Sequence, residues 1–160
     1  MNPAVRRRVL GLLTYGLYVL ASRFGDEVAA GTVSWLSQAS FNPPLVMTAL
    51  RVGSRIQGVV DRGGAFAVSI LSRDQKEVAE SFFKPSKIEP KRINGYPVEP
   101  GPKTGAPILA NAPAWFEARV VGKLEKGDHT VYLAEVVECG LRDPGAKPLI
   151  LHETGWRYGG

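Results

Sequence analysis

Three clusters of residues in this 160-residue chain have types and spacings that suit ligand chemistry. The first is Gly31-Thr32-Val33-Ser34-Trp35-Leu36-Ser37-Gln38-Ala39-Ser40-Phe41-Asn42-Pro43-Pro44. Its alternation predicts a strand with Val33, Trp35, Ala39 and Phe41 on one face and Thr32, Ser34, Gln38 and Ser40 on the other. Hydroxyls on the open face of a half-buried strand either meet water or lie against something polar. Asn42-Pro43-Pro44 ends the run, because proline has no backbone donor and restricts the residue before it.

The second cluster is Arg51-Val52-Gly53-Ser54-Arg55. Ser54 is placed to cap a helix through Arg62, since Ile56, Val59 and Val60 follow at helical spacing and Gly63-Gly64 end it. A helix start carries free N–H groups and a partial positive charge, which suit an anion, and Arg51 and Arg55 add full charges. Ser54 serves equally well as a plain cap with no ligand. The third cluster is Gly127-Asp128-His129, at the turn of a hairpin, where His129 either meets a substrate or bonds to nearby backbone.

Other chemistries lack their residues. His129 and His152 are the two histidines, there is no HExxH pair and no cysteine cluster, so no metal site is expected. The chain has no GxSxG elbow, no phosphate loop of the GxxxxGK[ST] type and no GxGxxG fingerprint, which argues against a hydrolase and against a Rossmann fold.

The elements that must carry these clusters read as follows. Asn2-Pro3 starts a short helix with Val5, Val9 and Leu12 or Leu13 on one side. Tyr15 to Phe24 is a strand, and Gly25-Asp26 turns it into a second strand over Glu27 to Phe41. Leu45 to Leu50 and Ala65 to Leu71 are buried strands. Ser72-Arg73-Asp74-Gln75 fits a capping box, followed by a helix whose apolar side is Val78, Ala79, Phe82 and Phe83. Lys84 to Pro113 holds seven of the twelve prolines, so it forms an irregular excursion with short strands at most. Ala114 to Leu124 and Thr130 to Glu138 form the hairpin around His129, and Leu149 to His152 is a short final strand. Many strands with few helices predict a mainly β fold, a barrel with short covering helices.

The length fits a single domain over residues 1–160, and 44% hydrophobic residues suffice for a core. No apolar run reaches the ~20 residues needed to span a membrane. Leu10 to Ala21 follows Arg6-Arg7-Arg8 like a signal peptide but lacks a small-residue cleavage site, so it is read as part of the fold. The lone Cys139 excludes an internal disulfide, reads as a packing residue, and fits a reducing, cytoplasmic compartment. A net charge of +5 favours an anionic partner. No recognition helix, zinc spacing or RNA-binding signature accompanies it, so a nucleotide cofactor is preferred to nucleic acid.

The order of hydroxyl-rich strand, Phe41-Asn42-Pro43-Pro44, apolar strand, Ser54-led helix and Gly64-Ala65-Phe66-Ala67-Val68-Ser69-Ile70-Leu71-Ser72-Arg73-Asp74-Gln75 resembles the flavin reductase-like proteins, which bind FMN on a split β-barrel. The resemblance continues through Gly105 to Leu109, Trp115 to Ala118 and Gly127 to Val136, and so spans roughly residues 10 to 158. Trp35 to Pro44 is similar to the reductase module of diflavin proteins. The chain departs from the family pattern at Arg51, where many members have a polar residue, and at Gly53, Arg55 and Ile56, where they have small hydroxyl residues.

The resemblance implies an FMN-binding split barrel that transfers hydride from NADH or NADPH to flavin. It implies that Thr32, Val33, Ser34 and Trp35 contact the isoalloxazine and ribityl portions and that Arg51, Ser54 and Arg55 hold the phosphate. It further implies that Phe83 and Lys84 approach the ring and that His129 faces the nicotinamide. Trp156 and Tyr158 either cover the ring or a subunit seam, or belong to a poorly ordered terminal tail. A homodimer with the flavin near the subunit interface is implied as well. The alternatives are an FMN-bound electron carrier, flavoredoxin-like and not itself an enzyme, that serves an electron-acceptor protein, and an anion-binding module without flavin.

Overall fold

The computed structural model describes residues 1–160. Its main sheet is built from β1 (Tyr18–Phe24), β2 (Glu27–Val33), β3 (Leu36–Ser40), β4 (Leu45–Arg51), β5 (Ala65–Ile70), β10 (Ala114–Glu125) and β11 (His129–Leu141). These seven strands pair antiparallel in the order β2-β1-β5-β10-β11-β4-β3. β2 and β3 are consecutive in the chain, with Ser34-Trp35 between them, yet they occupy opposite edges of the sheet. Two residues span only ~7 Å, so the sheet must curl until its edges adjoin. The result is a barrel that stays open along that seam.

The strand expected over Glu27 to Phe41 therefore breaks at Ser34-Trp35. The Trp35 carbonyl accepts the Ala49 N–H at 3.0 Å and the Thr48 hydroxyl at 2.9 Å, which pulls the chain across to β4. Beyond the break the expected faces no longer hold. Phe41 is 95% exposed, whereas Ser34, expected on the open face, is buried.

Alternation sorts the core into two layers. Val19 packs with Leu17, Val28, Leu71, Phe82 and Leu149 on one face of the sheet. Its neighbour Leu20 packs with Val46, Val60, Phe66, Val68 and Tyr132 on the other. β5 lies mid-sheet and is buried along nearly its whole length, as its apolar run predicts.

Three helices decorate the sheet. α1 (Pro3–Leu10) starts as expected, with the Asn2 side chain accepting the Ala4 and Val5 N–H groups, but none of its residues is buried. α2 (Arg55–Gly63) covers the barrel through Val59 and Val60 and ends on Gly64, whose φ of 67° is easy only for glycine. α3 is Lys76–Ser81. The capping box expected ahead of it is a separate turn. The Gln75 side chain accepts the Ser72 N–H at 3.0 Å, but Gln75 itself is the cap, and its side chain bonds nothing in the helix.

Other expectations are corrected by packing. Phe83 is not on the buried side of α3 but 53% exposed. Lys84 to Pro113 has the short strands expected at most, but they are paired. It forms a second antiparallel sheet of β6 (Ile88–Glu89), β7 (Arg92–Ile93), β8 (Tyr96–Pro100) and β9 (Pro107–Leu109), and Ile93, Ile108 and Leu109 anchor it in the core. The final strand is a 3-10 turn, Leu151–Glu153, with one bridge from Ile150 to Gly16. Cys139 is exposed on β11 and packs into nothing. No helix is long and apolar enough to cross a membrane.

Candidate functional site

The β4–β11 ladder sets the site, because its register places His129 directly opposite Arg51. The Val52 N–H donates to the Asp128 carbonyl at 2.9 Å, tying the hairpin turn to the segment that leads into α2. Gly53 then adopts a φ of 80°, a left-handed conformation that turns the chain into the helix. Ser54 accepts the Gln57 N–H at 3.2 Å as the cap. The Arg55 and Ile56 N–H groups have no protein acceptor, as the first turn of a helix dictates. Arg51 makes no ion pair. This corner offers one guanidinium and free amide donors, a setting for an anion.

From the β2–β3 crossing come Thr32, Ser34 and Trp35. The Thr32 hydroxyl donates to the Ala79 carbonyl at 2.7 Å, so it braces β2 against α3 and keeps only lone pairs for anything else. Ser34 has no side-chain partner. The Trp35 indole N–H is buried without an acceptor. Unmet donors of this kind are uncommon in folded chains and mark places where a ligand can supply the partner.

The C-terminal segment closes the site. Tyr158 presents its hydroxyl to His129 Nε2 at 2.7 Å, and Asp128 Oδ1 lies 2.8 Å from His129 Nδ1. A carboxylate only accepts, so Nδ1 carries a proton, and in the neutral ring Nε2 accepts from Tyr158. The bond to His129 holds the Asp128 carboxyl below the usual range, and burial pushes the Tyr158 phenol up. The imidazole tilts against Trp35 at 4.6 Å, and Tyr158 meets the same indole edge-on at 5.1 Å. Trp156 packs edge-on against Phe83 at 4.8 Å, with the Lys76 ammonium 4.9 Å from its ring.

These pieces enclose a cavity of about 580 Å³, mostly apolar, whose walls include Thr32, Val33, Ser34, Trp35, Arg51, Ser54, Phe83 and Trp156. The volume is within the ~300–1,000 Å³ usual for cofactor pockets. Nine of the sequence-derived candidates thus come together, Tyr158 among them, and His129 stands just behind Trp35. Arg55 and Lys84 do not line the cavity. Arg55 is exposed and acts on Glu27, whose carboxyl it helps to lower, though the bond from Arg62 is the main cause. Lys84 lines a separate hollow with Glu77 and Glu80. Sequence reasoning missed Phe82, Leu151 and Arg157, which the end of α3, the 3-10 turn and the C-terminal segment bring to the wall. No three His, Cys, Asp or Glu side chains gather as a metal site.

Comparison with known proteins meets this geometry. The family described as "Flavin reductase like domain" matches residues 10–160. The NADH-dependent flavin reductase StyB of Pseudomonas fluorescens is 33% identical over 156 residues, covering 96% of this chain and 87% of that protein. A putative diflavin flavoprotein A 3 of Nostoc sp. is 32% identical over 135 residues, with 81% of this chain matching 23% of that much longer protein. Among solved structures, the styrene monooxygenase flavin reductase SMOB of Pseudomonas putida S12 superposes with a TM-score of 0.74 at 32% identity, covering 91% of this chain and 90% of that one.

Proposed function

The chain belongs to the flavin reductase-like family, and from that premise we propose that it is a flavin reductase, binding FMN in the 580 Å³ cavity and passing hydride to it from NADH or NADPH. The observation that carries the reading is the set of unmet donors on an otherwise apolar wall: the Ser34 hydroxyl, the buried Trp35 indole N–H, the Arg51 guanidinium and the free amides of Arg55 and Ile56. They fit a flat apolar ring system that bears carbonyls and ends in a phosphate. When bound, the flavin supplies the redox chemistry, which no side chain here provides.

The protein's own part is to bind, orient and exclude water. Arg51 and the start of α2 hold the phosphate end, with the charge of Arg51 doing what small hydroxyls do in many relatives. Ser34 and Trp35 hold the ring from the β2–β3 crossing. Phe83 and Trp156 wall the opposite side and keep water from the reacting face. His129, held against Trp35 by its bonds to Asp128 and Tyr158, is assigned to positioning the nicotinamide. Arg55 contributes its backbone amide and not its guanidinium, and Lys84 has no place at the ring.

The net reaction takes one hydride from the dinucleotide and one proton from solvent, and leaves reduced flavin. StyB and SMOB carry names that tie them to NADH and to a styrene monooxygenase. We place this chain likewise as the supplier of reduced flavin to a separate electron-accepting enzyme in the cytoplasm, acting as a homodimer. The test is anaerobic mixing of the purified protein with FMN and NADH or NADPH. Rapid bleaching of the flavin absorbance is expected. A protein that binds FMN but leaves both dinucleotides unoxidised is instead an electron carrier.

A further inference from the structure

Gln57 reaches back from the first turn of α2 to the corner beside Arg51. Its side-chain carbonyl accepts the Gly53 N–H at 3.4 Å, while its own backbone N–H donates to the Ser54 hydroxyl. The Ser54 N–H donates to the Arg51 carbonyl at 3.1 Å, and the Gly58 N–H to the Ser54 carbonyl at 3.2 Å. From Val52 to Gly58, every amide therefore has a protein acceptor except those of Arg55 and Ile56, the two offered to the phosphate. In a capping box the glutamine reaches the N–H of the cap residue itself. Here it reaches one residue earlier, to the glycine whose left-handed backbone aims the turn.

The other end of that side chain is anchored in the barrel. Gln57 Nε2 donates to Asp61 Oδ2 at 2.9 Å and to the Tyr132 hydroxyl at 3.1 Å, and that hydroxyl donates to Asp61 Oδ1 at 2.6 Å. The Lys123 ammonium lies 3.3 Å from the same oxygen. The bond from Tyr132 holds the Asp61 carboxyl below its usual range, so the group is ionised and only accepts. It takes the NH2 end of Gln57 and leaves the carbonyl end facing Gly53. Tyr132 is buried on β11, and none of Gln57, Asp61 and Tyr132 lines the cavity. Whatever they do for a ligand, they do through the backbone of the turn.

We propose that Gln57 is a positioning residue for the flavin phosphate. Held by Tyr132 and Asp61, it fixes the Gly53-Ser54 turn so that the Arg55 and Ile56 amides converge beside Arg51, and it thereby sets the preference for FMN over riboflavin. This assignment rests on the flavin reductase reading. Riboflavin, which has no phosphate, places nothing at that corner and does not sense its geometry.

Fluorescence titration of the purified protein with FMN and with riboflavin is the test. Gln57→Met keeps the length and the helix propensity of the side chain but removes its hydrogen bonds. FMN affinity should fall roughly tenfold, as misplaced amides lose charge-assisted bonds, and riboflavin affinity should stay within about twofold. In turnover, KM for FMN should rise by a similar factor with kcat unchanged. Tyr132→Phe removes one hydroxyl and adds no charge. It should lower FMN affinity about threefold, and the double variant should bind FMN no more weakly than Gln57→Met alone, because the tyrosine acts through the glutamine. Equal losses for the two flavins, an unchanged FMN affinity in Gln57→Met, or additive effects in the double variant overturn the proposal. A wild type that binds neither flavin overturns the flavin reductase reading and the proposal with it. A wild type that binds FMN with an affinity that neither variant alters overturns the positioning role alone.

Discussion

Arg51 and Arg55 look equivalent in the chain, four positions apart around one cap, yet only Arg51 reaches the cavity. Arg51 is the last residue of β4 and is held opposite His129, whereas Arg55 is the first residue of α2 and is swung toward Glu27. Replacing Arg51 by alanine should therefore weaken FMN binding by roughly 1–3 kcal/mol, the range for a charged hydrogen bond. Riboflavin, which has no phosphate, should lose much less, and Arg55→Ala should change neither by a comparable amount. Fluorescence titration decides it, and equal losses for FMN and riboflavin would remove Arg51 from the phosphate. The second residue-scale prediction concerns His129. Its side chain has one face on Trp35 and both nitrogens engaged, so His129→Ala should slow stopped-flow reduction of bound FMN while leaving FMN affinity nearly intact. Tyr158→Phe removes the donor to Nε2 and should give a smaller effect in the same direction. A reduction rate unmoved by His129→Ala would return the residue to a structural role in the turn.

Elements were legible where a local rule sufficed. Asn2 and Ser54 as caps, Gly64 as the stop of α2 and the β10–β11 hairpin all follow from residues within one turn of each other. What was not legible depends on partners far along the chain. The break at Ser34-Trp35 exists because Thr48 and Ala49 take the Trp35 carbonyl, and the proline-rich segment is ordered by a carboxylate beyond it. Glu117, fully buried, accepts the Lys103 and Thr104 N–H groups and the Thr104 hydroxyl, closing the Gly101–Gly105 turn. Glu117→Gln keeps the shape but exchanges an acceptor for a donor facing donors, so it should cost about 1–3 kcal/mol in chemical denaturation. A loss confined to a few tenths would show that the turn holds itself. A pH test belongs at this scale too. Tyr132 is 1% exposed, and burial, with a bond to Asp61, pushes its phenol up from 10.0 to about 12. The folded state holds that proton longer than the unfolded chain does. Its contribution is complete below about pH 10 and is lost as pH rises toward about 12, so stability should fall across that window. Tyr132→Phe should flatten that part of the profile, and an unchanged alkaline slope would deny the coupling.

At the scale of the whole molecule, the barrel leaves apolar side chains outside itself. Met47 on β4, Val121 and Leu124 on β10 and Leu141 on β11 are 44%, 55%, 61% and 67% exposed, and α1 adds Val5, Val9 and Leu10 without burying one of them. Scattered single residues of this kind are ordinary, but four on three strands of one sheet, with an uncovered helix besides, are more than a lone barrel needs. A second copy is the occupant proposed for this surface, in line with the composite flavin sites that the family resemblance implies. The expected outcome is a dimer in sedimentation at micromolar concentration, with Leu124→Glu shifting it toward monomer. A charge placed at a desolvated contact is costly, whereas on a solvated strand face it is nearly neutral. The same variant separates the two ways in which FMN affinity can depend on assembly. If the partner completes the cavity, FMN binding should weaken in proportion to the monomer formed and recover at high protein concentration. A monomer that binds FMN at full strength would show that the walls drawn from one chain are sufficient, and that dimerisation, if it occurs, serves stability alone.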